Sequence, residues 1–408
     1  MEAKKRRAIM ILGSSMFDRS AYVTLKKMGL ALIMTDINPS CPQFQYADEY
    51  FVANASDTEE ILRCFESSRY RHGMLMAYCG NDFGVKSALA VNSAIAGNKA
   101  IDTNAVDLND KSWMKAVFEA SEICVPPAVY YPASEDFLSV IEGVEKNMDY
   151  PVVVKPTSGS GARGVSVCRH SGDFSNCWRT AIAEGDHVSV EKYIDGSHLD
   201  LNGFMVNGVF YRSGSSDRFF LPEPRRIMLK NYAPSVLSEH KLEKAWAFLE
   251  SAAKAQGLRF GPIKADFIVD STGMPYLLET AVRFHGGLTT CGSMRVSGES
   301  FSIPEMVCVV DSELKKEFER IWSVPRRVGS VHIFPTLPDT KVCGFNVPKQ
   351  IEGVEDIFMR KVSEKSDSTA SLNDNRDIPG YILAFGETRE QCDYHVAKAL
   401  LKIEVKSC

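Results

Sequence analysis

A lysine at the end of an apolar run, followed by a glycine-rich stretch, is the feature that most constrains the fold of this chain. Residues 152–165 read VVVKPTSGSGARGV, with Lys155 after the run and glycines at 159, 161 and 164. The pattern predicts a strand, a tight turn and a second strand. Glycines let backbone N–H groups approach phosphate oxygens, and a lysine at the strand end places a positive charge beside them. A flexible hairpin turn with a solvated lysine explains the same residues equally well, because the P-loop spacing is absent.

Two carboxylates lie inside apolar strands further along the chain. Asp266 stands in KADFIV (264–269), and Glu279 stands in LLETAVR (277–283). Burying an unpaired carboxylate is costly unless it meets a cation. Two such acids on neighbouring strands suit Mg²⁺, which binds one or two carboxylates together with nucleotide phosphates. The alternative is a pair of salt-bridged acids on the solvent face of a hairpin.

A third segment, residues 188–196 (VSVEKYIDG), alternates apolar and polar residues and then breaks at a turn. A strand that passes into a loop can offer backbone groups to an adenine edge, while a nearby acid binds sugar hydroxyls. An exposed Glu-Lys pair on a strand is the simpler explanation of this segment taken alone.

The N-terminal hundred residues have the pattern of a doubly wound α/β module. Apolar runs at 8–12, 30–35 and 73–78 predict buried parallel strands, and helical spacing from Tyr22 to Met28 and after Ser56 predicts helices between them. A nicotinamide-dependent dehydrogenase would open in the same way. However, the first turn carries only Gly13, where the dinucleotide fingerprint needs three glycines.

The middle and the tail of the chain mix helices and strands. The clearest predicted helix covers 241–256 and ends before Gly257, and strands are predicted at 188–193, 201–206, 265–269 and 275–279. The tail adds predicted strands at 328–334 and 380–385 and a last helix that begins at Thr388. Residues 363–377 are polar and predict a loop.

Composition excludes several classes of function. The chain has 408 residues, 24% of them charged, and a formal net charge of −5, which indicates neither a nucleic-acid partner nor a membrane partner. Its eleven cysteines are scattered without a C-x-x-C pair, which is typical of reduced thiols. The apolar run after the basic N-terminus is too short for a signal peptide, so a cytoplasmic location is expected.

Taken in order, these segments resemble the ATP-grasp superfamily, most closely its branch of amino-acid and dipeptide ligases, with carbamoyl-phosphate synthetase and biotin carboxylase as more distant relatives. The resemblance covers nearly the whole chain, including the entry-helix residues 109–112 and the tail residues 380–388. It implies an α/β and α+β fold in three parts. These are a doubly wound, Rossmann-like pre-ATP-grasp domain (1–105), an ATP-grasp domain (106–325) with a lid subdomain at about 118–190, and a C-terminal α+β segment (326–408) that completes the ATP-grasp domain.

The resemblance also implies a nucleotide site. Lys111 and Lys155 would hold the ATP phosphates beneath a lid loop, Glu191 with the backbone at 193 and 194 would bind adenine, and His198 stands where a ribose-binding glutamate is common. The residues implied to bind ATP are Lys111, Lys155, Ser158, Gly159, Gly161, Gly164, Glu191, Tyr193, Ile194 and His198.

Metal and substrate residues follow from the same resemblance. Asp266 and Glu279 would bind Mg²⁺, as one ion or two, with Mn²⁺ as a substitute. Arg283 would act with Lys155 on the transferring phosphoryl group. The residues implied to line the substrate site are Arg283, His285, Gly286 and Gly287. The segment 213–234 is dense in arginine and proline, which suggests an ordered loop near a carboxylate, and its candidate lining residues are Arg225, Arg226 and Lys230. That segment is equally compatible with a solvated surface loop.

One position departs from the family pattern. The usual E-x-N-x-R reads Glu279-Thr280-Ala281-Val282-Arg283 here, and the methyl group of Ala281 cannot coordinate a metal ion. The resemblance predicts a ligase that activates an amino acid or similar small carboxylate as an acyl-phosphate and joins it to an amine, and it is compatible with a homodimer. A carboxylase that uses bicarbonate and a catalytically silent ATP-binding protein are the alternatives.

Overall fold

The computed structural model describes residues 6–13, 18–95, 100–101, 108, 110–159, 161–222, 227–286, 295–296, 299–300, 303–321, 327–334, 342–359 and 378–407. The predicted loop at 363–377 and three of the residues discussed above, Arg225, Arg226 and Gly287, lie outside these ranges.

The N-terminal part of the chain is the predicted doubly wound module. Its elements are β1 (Ala8–Leu12), α1 (Arg19–Lys27), β2 (Ala31–Asp36), β3 (Glu49–Val52), α2 (Thr58–Ser67), β4 (Met74–Cys79) and α3 (Val85–Ala94). The four strands are parallel in the order β3-β2-β1-β4. Ile9 and Ile11 pack into one core cluster while Met10 and Leu12 pack into another, so both faces of the sheet are covered.

Helix α2, predicted to follow Ser56, has its N-cap at Asp57. The carboxylate of Asp57 accepts the cap hydrogen bond from the backbone N–H of Glu60, while the Ser56 hydroxyl donates to Asn54. The Glu60 carboxylate in turn accepts from the backbone N–H of Asn54. Asp57 therefore caps the helix, and Glu60 ties its first turn to the preceding loop at Asn54.

The next part of the chain contains the glycine-rich stretch. Its elements are α4 (Lys111–Ala120), β5 (Ala128–Pro132), α5 (Phe137–Asn147), β6 (Val152–Pro156), β7 (Ser166–Cys168), α6 (Ser171–Ile182) and β8 (His187–Lys192). The strands form an antiparallel sheet in the order β5-β8-β6-β7, which we call the lid sheet. Val152 and Val154 face the core under α5 and α6, so alternation turns Lys155 to the opposite face.

The rest of the chain is built around an eight-stranded antiparallel sheet, which we call the large sheet, in the order β13-β12-β9-β10-β11-β16-β19-β18. The elements in chain order are β9 (Gly196–Val206), β10 (Val209–Phe220), β11 (Met228–Ala233), α7 (Glu239–Ala255), β12 (Gly261–Asp270), β13 (Pro275–Ala281), β14 (Arg295–Val296), β15 (Glu299–Ser300), α8 (Ile303–Val310), α9 (Lys315–Ile321), β16 (Val328–Ile333), β17 (Val342–Asn346), β18 (Val354–Met359), β19 (Gly380–Gly386), α10 (Arg389–Leu400) and β20 (Glu404–Ser407).

Helix α7 determines which face of the large sheet can carry polar side chains. Ala245, Trp246 and Leu249 are buried, and they share a core cluster with Ala265 and Phe267 of β12. Lys264 and Asp266, which alternate with those two residues, therefore face the other side of the sheet. The tail strands β16 and β19 continue the same sheet, although the predicted domain boundaries remain predictions.

Within the described residues, no helix is both long enough and apolar enough to cross a membrane. The cysteines within the described residues are free thiols.

Candidate active site

A cavity of about 1290 Å³ lies between the lid sheet and the large sheet, and residues that follow β4 line a third side. Pockets for one drug-sized ligand typically measure roughly 300 to 1,000 Å³. The cavity can therefore hold a nucleotide and a small second substrate together.

Most of the predicted site residues share this cavity. Those that line it are Lys111, Lys155, Ser158, Gly159, Gly161, Glu191, Tyr193, Ile194, His198, Asp266, Glu279, Arg283, His285 and Gly286. Gly164 is not among the lining residues, because its position packs beside Pro156 and Glu184, which a Cβ there would meet at 3.0 and 3.2 Å. Lys230 is not among them either, because β11 directs it to Asp393 on α10, at 3.2 Å. Arg226 and Gly287 stay predictions.

Lys155 is held in place by a buried carboxylate that a second lysine also contacts. Its Nζ lies 2.9 Å from Oε2 of Glu191, and Nζ of Lys115 lies 2.7 Å from Oε1 of the same carboxylate. Ser189 donates a further hydrogen bond to Glu191 at 3.1 Å. Burial raises the pKa of Glu191, but the two lysines outweigh it and hold that pKa below its ordinary value. The carboxylate therefore carries its charge, and it fixes Lys155 at the cavity wall.

The glycine-rich turn adopts backbone conformations that suit glycine. Gly159, Gly161 and Gly164 have φ of 104°, 75° and 70°. Nζ of Lys111, at the start of α4, donates to the carbonyl of Gly159 at 2.7 Å. The turn and Lys111 thus form one wall, where N–H groups and ammonium groups can meet an anion.

The two predicted metal ligands face each other across the β12–β13 ladder, since Asp266 is paired in register with Glu279. Nζ of Lys264 lies between them, 3.0 Å from Asp266 and 2.7 Å from Glu279. Burial raises the pKa of Glu279, but Lys264 and Lys111 outweigh it and lower the pKa to about 2. Glu279 is ionised at neutral pH and reaches the cavity.

Asp266 has further cationic and polar neighbours. The guanidinium of Arg218 lies 3.3 Å from Asp266 and 2.6 Å from buried Asp200. Nε2 of His285 lies 2.7 Å from Asp266, and the backbone N–H of His285 donates to Oδ1 of Asn202 at 2.8 Å. Burial raises the pKa of Asp266, but Arg218 and Lys264 lower it well below its ordinary value. This carboxylate is already neutralised by the protein's own cations.

Arg283 is oriented by the N-terminal module. Its Nε and Nη2 contact the two carboxylate oxygens of Asp82 at 2.6 and 3.1 Å. A guanidinium held by two contacts to one carboxylate has a fixed direction. Asp82 follows β4, so the module contributes to the cavity through this ion pair.

Several residues of the site were not predicted from the sequence. Lys264 had a usable signal, because it stands two residues before Asp266 and strand alternation places both on one face. Lys115 also had a usable sequence signal, because it follows Lys111 by four residues on the same helix face. Asp82 and Arg218 carried no comparable pattern, because each reaches its partner through the tertiary fold.

The donor set is compatible with one divalent ion rather than two. Glu279 offers a charged, half-buried carboxylate beside the cavity, which suits Mg²⁺ shared with phosphate oxygens. The carboxylates of Asp200 and Asp266 and the imidazole of His285 also converge, with ligand atoms within 4.8 Å of one another. However, Arg218 binds both of those carboxylates and Lys264 binds Asp266, so the protein's own cations already balance the charge of that group.

A cavity between a small lid sheet with a glycine-rich hairpin and a larger antiparallel sheet, preceded by a parallel α/β module, is the architecture of ATP-grasp proteins. Comparisons with known proteins agree. Residues 110–199 match the family described as "Carbamoyl-phosphate synthase L chain, ATP binding domain". This range covers the lid sheet and the start of β9. The chain has the ATP-grasp fold, and its match to this family lies within residues 110–199.

Curated relatives match most of the chain at low identity. An uncharacterized protein of Sinorhizobium fredii is 24% identical over 300 residues, which are 69% of this chain and 59% of that protein. The formate-dependent phosphoribosylglycinamide formyltransferase of Paraburkholderia xenovorans is 24% identical over 299 residues, which are 71% of this chain and 72% of the relative. The match therefore spans less than two thirds of the first relative's length.

Solved structures share the fold along nearly the whole chain. The L-amino acid ligase of Bacillus licheniformis has a TM-score of 0.74 at 14% identity, covering 99% of both chains. The phosphoribosylglycinamide synthetase of Anaerococcus prevotii has a TM-score of 0.69 at 16% identity, covering 98% of this chain and 99% of its own. At such identities the likeness establishes the fold.

Proposed function

We propose that this chain is an ATP-dependent carboxylate–amine ligase that works through an acyl-phosphate and releases ADP and phosphate. The observation that carries the proposal is the convergence of Lys111, Lys155 and Arg283 with the Glu279 carboxylate around one cavity. Phosphoryl transfer asks its catalyst mainly for positioning and charge neutralisation, and these groups supply both.

The phosphate end of the cavity is the wall formed by the glycine-rich turn. Lys111 and Lys155 are anchored there by Gly159 and Glu191, so their ammonium groups are positioned before a ligand binds. Positioning in advance lowers the cost of ordering these long side chains. We assign the triphosphate to this wall and the adenine to the backbone at Tyr193 and Ile194, with His198 beside the ribose.

Glu279 is the residue that would hold Mg²⁺, and the ion would neutralise charge on the β- and γ-phosphates when bound. Lys111, 3.6 Å from the same carboxylate, keeps the lysine wall and the metal ligand together. This contact supports a phosphate-binding wall and a metal ligand on the same side of the cavity.

Arg283 would orient the substrate carboxylate and stabilise charge on the transferring group. In the first step a carboxylate oxygen attacks the γ-phosphorus and ADP leaves. In the second step the amine nitrogen attacks the acyl carbon, phosphate leaves, and the amine proton passes to solvent. Arg283 can serve both steps because Asp82 fixes its direction. His285 and Gly286, which line the cavity beside it, are assigned to the substrates, as are Arg226 and Gly287.

The names of similar proteins indicate which substrates to test first. The names of two similar proteins specify an L-amino acid ligase and a formate-dependent formyltransferase, so amino acids and formate are the first carboxylates to test. The alternatives that use the same cavity are bicarbonate as the carboxylate and nucleotide binding without turnover.

A screen for phosphate release tests the proposal. Purified protein is incubated with Mg²⁺, ATP and pairs of amino acids, with formate, bicarbonate and no carboxylate as separate arms. We expect one carboxylate–amine pair to stimulate ADP and phosphate release, and Glu279→Gln to abolish it. Glu243→Gln is the matched control, because Glu243 pairs with Arg212 outside the lining residues of the cavity.

Three results would contradict the proposal. Release of AMP and pyrophosphate would indicate adenylation chemistry. Stimulation by bicarbonate alone would favour the carboxylase. Binding of ATP without product in every arm would favour the silent ATP-binding protein, for which Ala281 is the motivating residue.

A further inference from the structure

The ammonium group of Lys264 occupies the space between the two carboxylates that the family pattern marks as metal ligands. Its Nζ lies 3.0 Å from Oδ1 of Asp266 and 2.7 Å from Oε1 of Glu279. The residue is only 3% exposed, so the charge is held inside the protein. Both distances are those of charge-assisted hydrogen bonds.

The position opposite Lys264 explains how the lysine fits. In the β12–β13 ladder Lys264 is paired in register with Ala281, so both side chains project from the same face of the sheet. Ala281 is also the position where the family pattern has an amide ligand. A small side chain at 281 and a long cation at 264 are therefore complementary changes on adjacent strands.

The positive charge already present beside Asp266 argues against a second divalent ion. Asp266 already contacts Lys264, the guanidinium of Arg218 and the imidazole of His285. A divalent ion bridging Asp266 and Glu279 would have to displace the lysine or lie beside it. Like charges at such separations repel strongly in a partly dry site.

We propose that the Lys264 ammonium takes the place of one of the two divalent ions, so that the nucleotide complex holds a single ion, at Glu279. The inference rests on the proposed nucleotide-binding function and specifies its metal content. Lys264 is thus a built-in monovalent cation that compensates for the missing ligand at Ala281. Its charge is present whether or not metal is bound.

Metal stoichiometry tests the inference without an activity assay. Mn²⁺ is titrated into the protein at a saturating concentration of a non-hydrolysable ATP analogue, and free Mn²⁺ is measured by electron paramagnetic resonance. We expect one Mn²⁺ per chain in the wild type. The double variant Lys264→Met/Ala281→Asn removes the ammonium and restores the amide, and we expect two Mn²⁺ per chain.

Other outcomes distinguish an error in the metal stoichiometry from an error in the proposed nucleotide binding. Two Mn²⁺ per chain in the wild type would overturn the inference while supporting nucleotide binding. Failure to bind the analogue at all would count against the proposed function itself. If the double variant does not fold, judged by circular dichroism, the wild-type stoichiometry still decides between one ion and two.

Two further variants act as controls. Ala281→Asn alone retains the ammonium, so it should keep one Mn²⁺ per chain, and a gain to two would show that Lys264 does not exclude the second ion. Lys254→Met removes an exposed lysine of α7 and should leave the stoichiometry at one.

Discussion

Replacing Lys115 with methionine tests the buried charge cluster that positions Lys155. Lys115 is 5% exposed, and its Nζ donates to Glu191 at 2.7 Å and to the carbonyl of Pro126 at 2.9 Å. Methionine has a similar length but no charge, so among the described residues Glu191 keeps Lys155 and Ser189 as its side-chain partners.

The expected loss of unfolding free energy depends on the contacts that Glu191 keeps in this variant. Leaving a buried charge without its partner costs roughly 3–5 kcal/mol, and a hydrogen bond to a charged group is worth about 1.5–3 kcal/mol. Because Lys155 still lies 2.9 Å from the carboxylate, the lower part of this range applies. We expect Lys115→Met to reduce the free energy of unfolding by about 2–3 kcal/mol.

Urea unfolding at pH 7 measures the effect, and a double variant identifies its cause. Lys115→Met/Glu191→Met removes the carboxylate together with one of its two lysines and leaves Lys155 as the remaining charge, so its loss of unfolding free energy should be smaller than the sum of the losses of the two single variants. Two results would contradict this explanation. Lys115→Met could lose less than about 0.5 kcal/mol, or the losses of Lys115→Met and Glu191→Met could simply add, which would show that the two residues are not coupled.

Three further predictions concern the site and its sheet. Asp82→Asn leaves Arg283 without its charged partner, and steady-state kinetics should show kcat reduced roughly 10- to 100-fold with the KM for ATP little changed; an equal rise in KM would assign Asp82 to nucleotide binding instead. Because the pKa of Glu279 is lowered to about 2, the stability that it contributes is complete above its ordinary value of 4.5 and is lost as pH falls toward 2. Urea midpoints of Glu279→Gln should therefore fall less steeply over that interval than those of the wild type, and parallel curves would contradict the assignment. Gly196→Ala places a Cβ 2.3 Å from the carbonyl oxygen of Val269, so thermal unfolding should show a loss of about 1–3 kcal/mol, and an unchanged midpoint would refute this packing.

Local patterns were sufficient to predict the elements that carry the site. The alternation around Lys155 and the apolar strands around Asp266 and Glu279 depend on neighbours in sequence, and the structure has β6, β12 and β13 at those places. The cavity gathers these residues because the lid sheet, which carries Lys155, and the large sheet, which carries Asp266 and Glu279, face each other across it.

Partners between distant segments could not be predicted. Asp82 and Arg283 are 201 positions apart, and only the packing of the N-terminal module against the large sheet brings them together. The pairing of Lys264 with Ala281 likewise depends on strand register, which a single sequence does not specify. Ala281 alone suggests a missing ligand, whereas the register shows a cation beside it.

The acyl-phosphate mechanism is tested most directly by following the carboxylate oxygen. The carboxylate identified by the phosphate-release screen is labelled with ¹⁸O, and the phosphate formed during turnover is analysed by mass spectrometry. An acyl-phosphate intermediate predicts one ¹⁸O transferred to each phosphate released. Phosphate without the label would contradict the mechanism proposed for this chain.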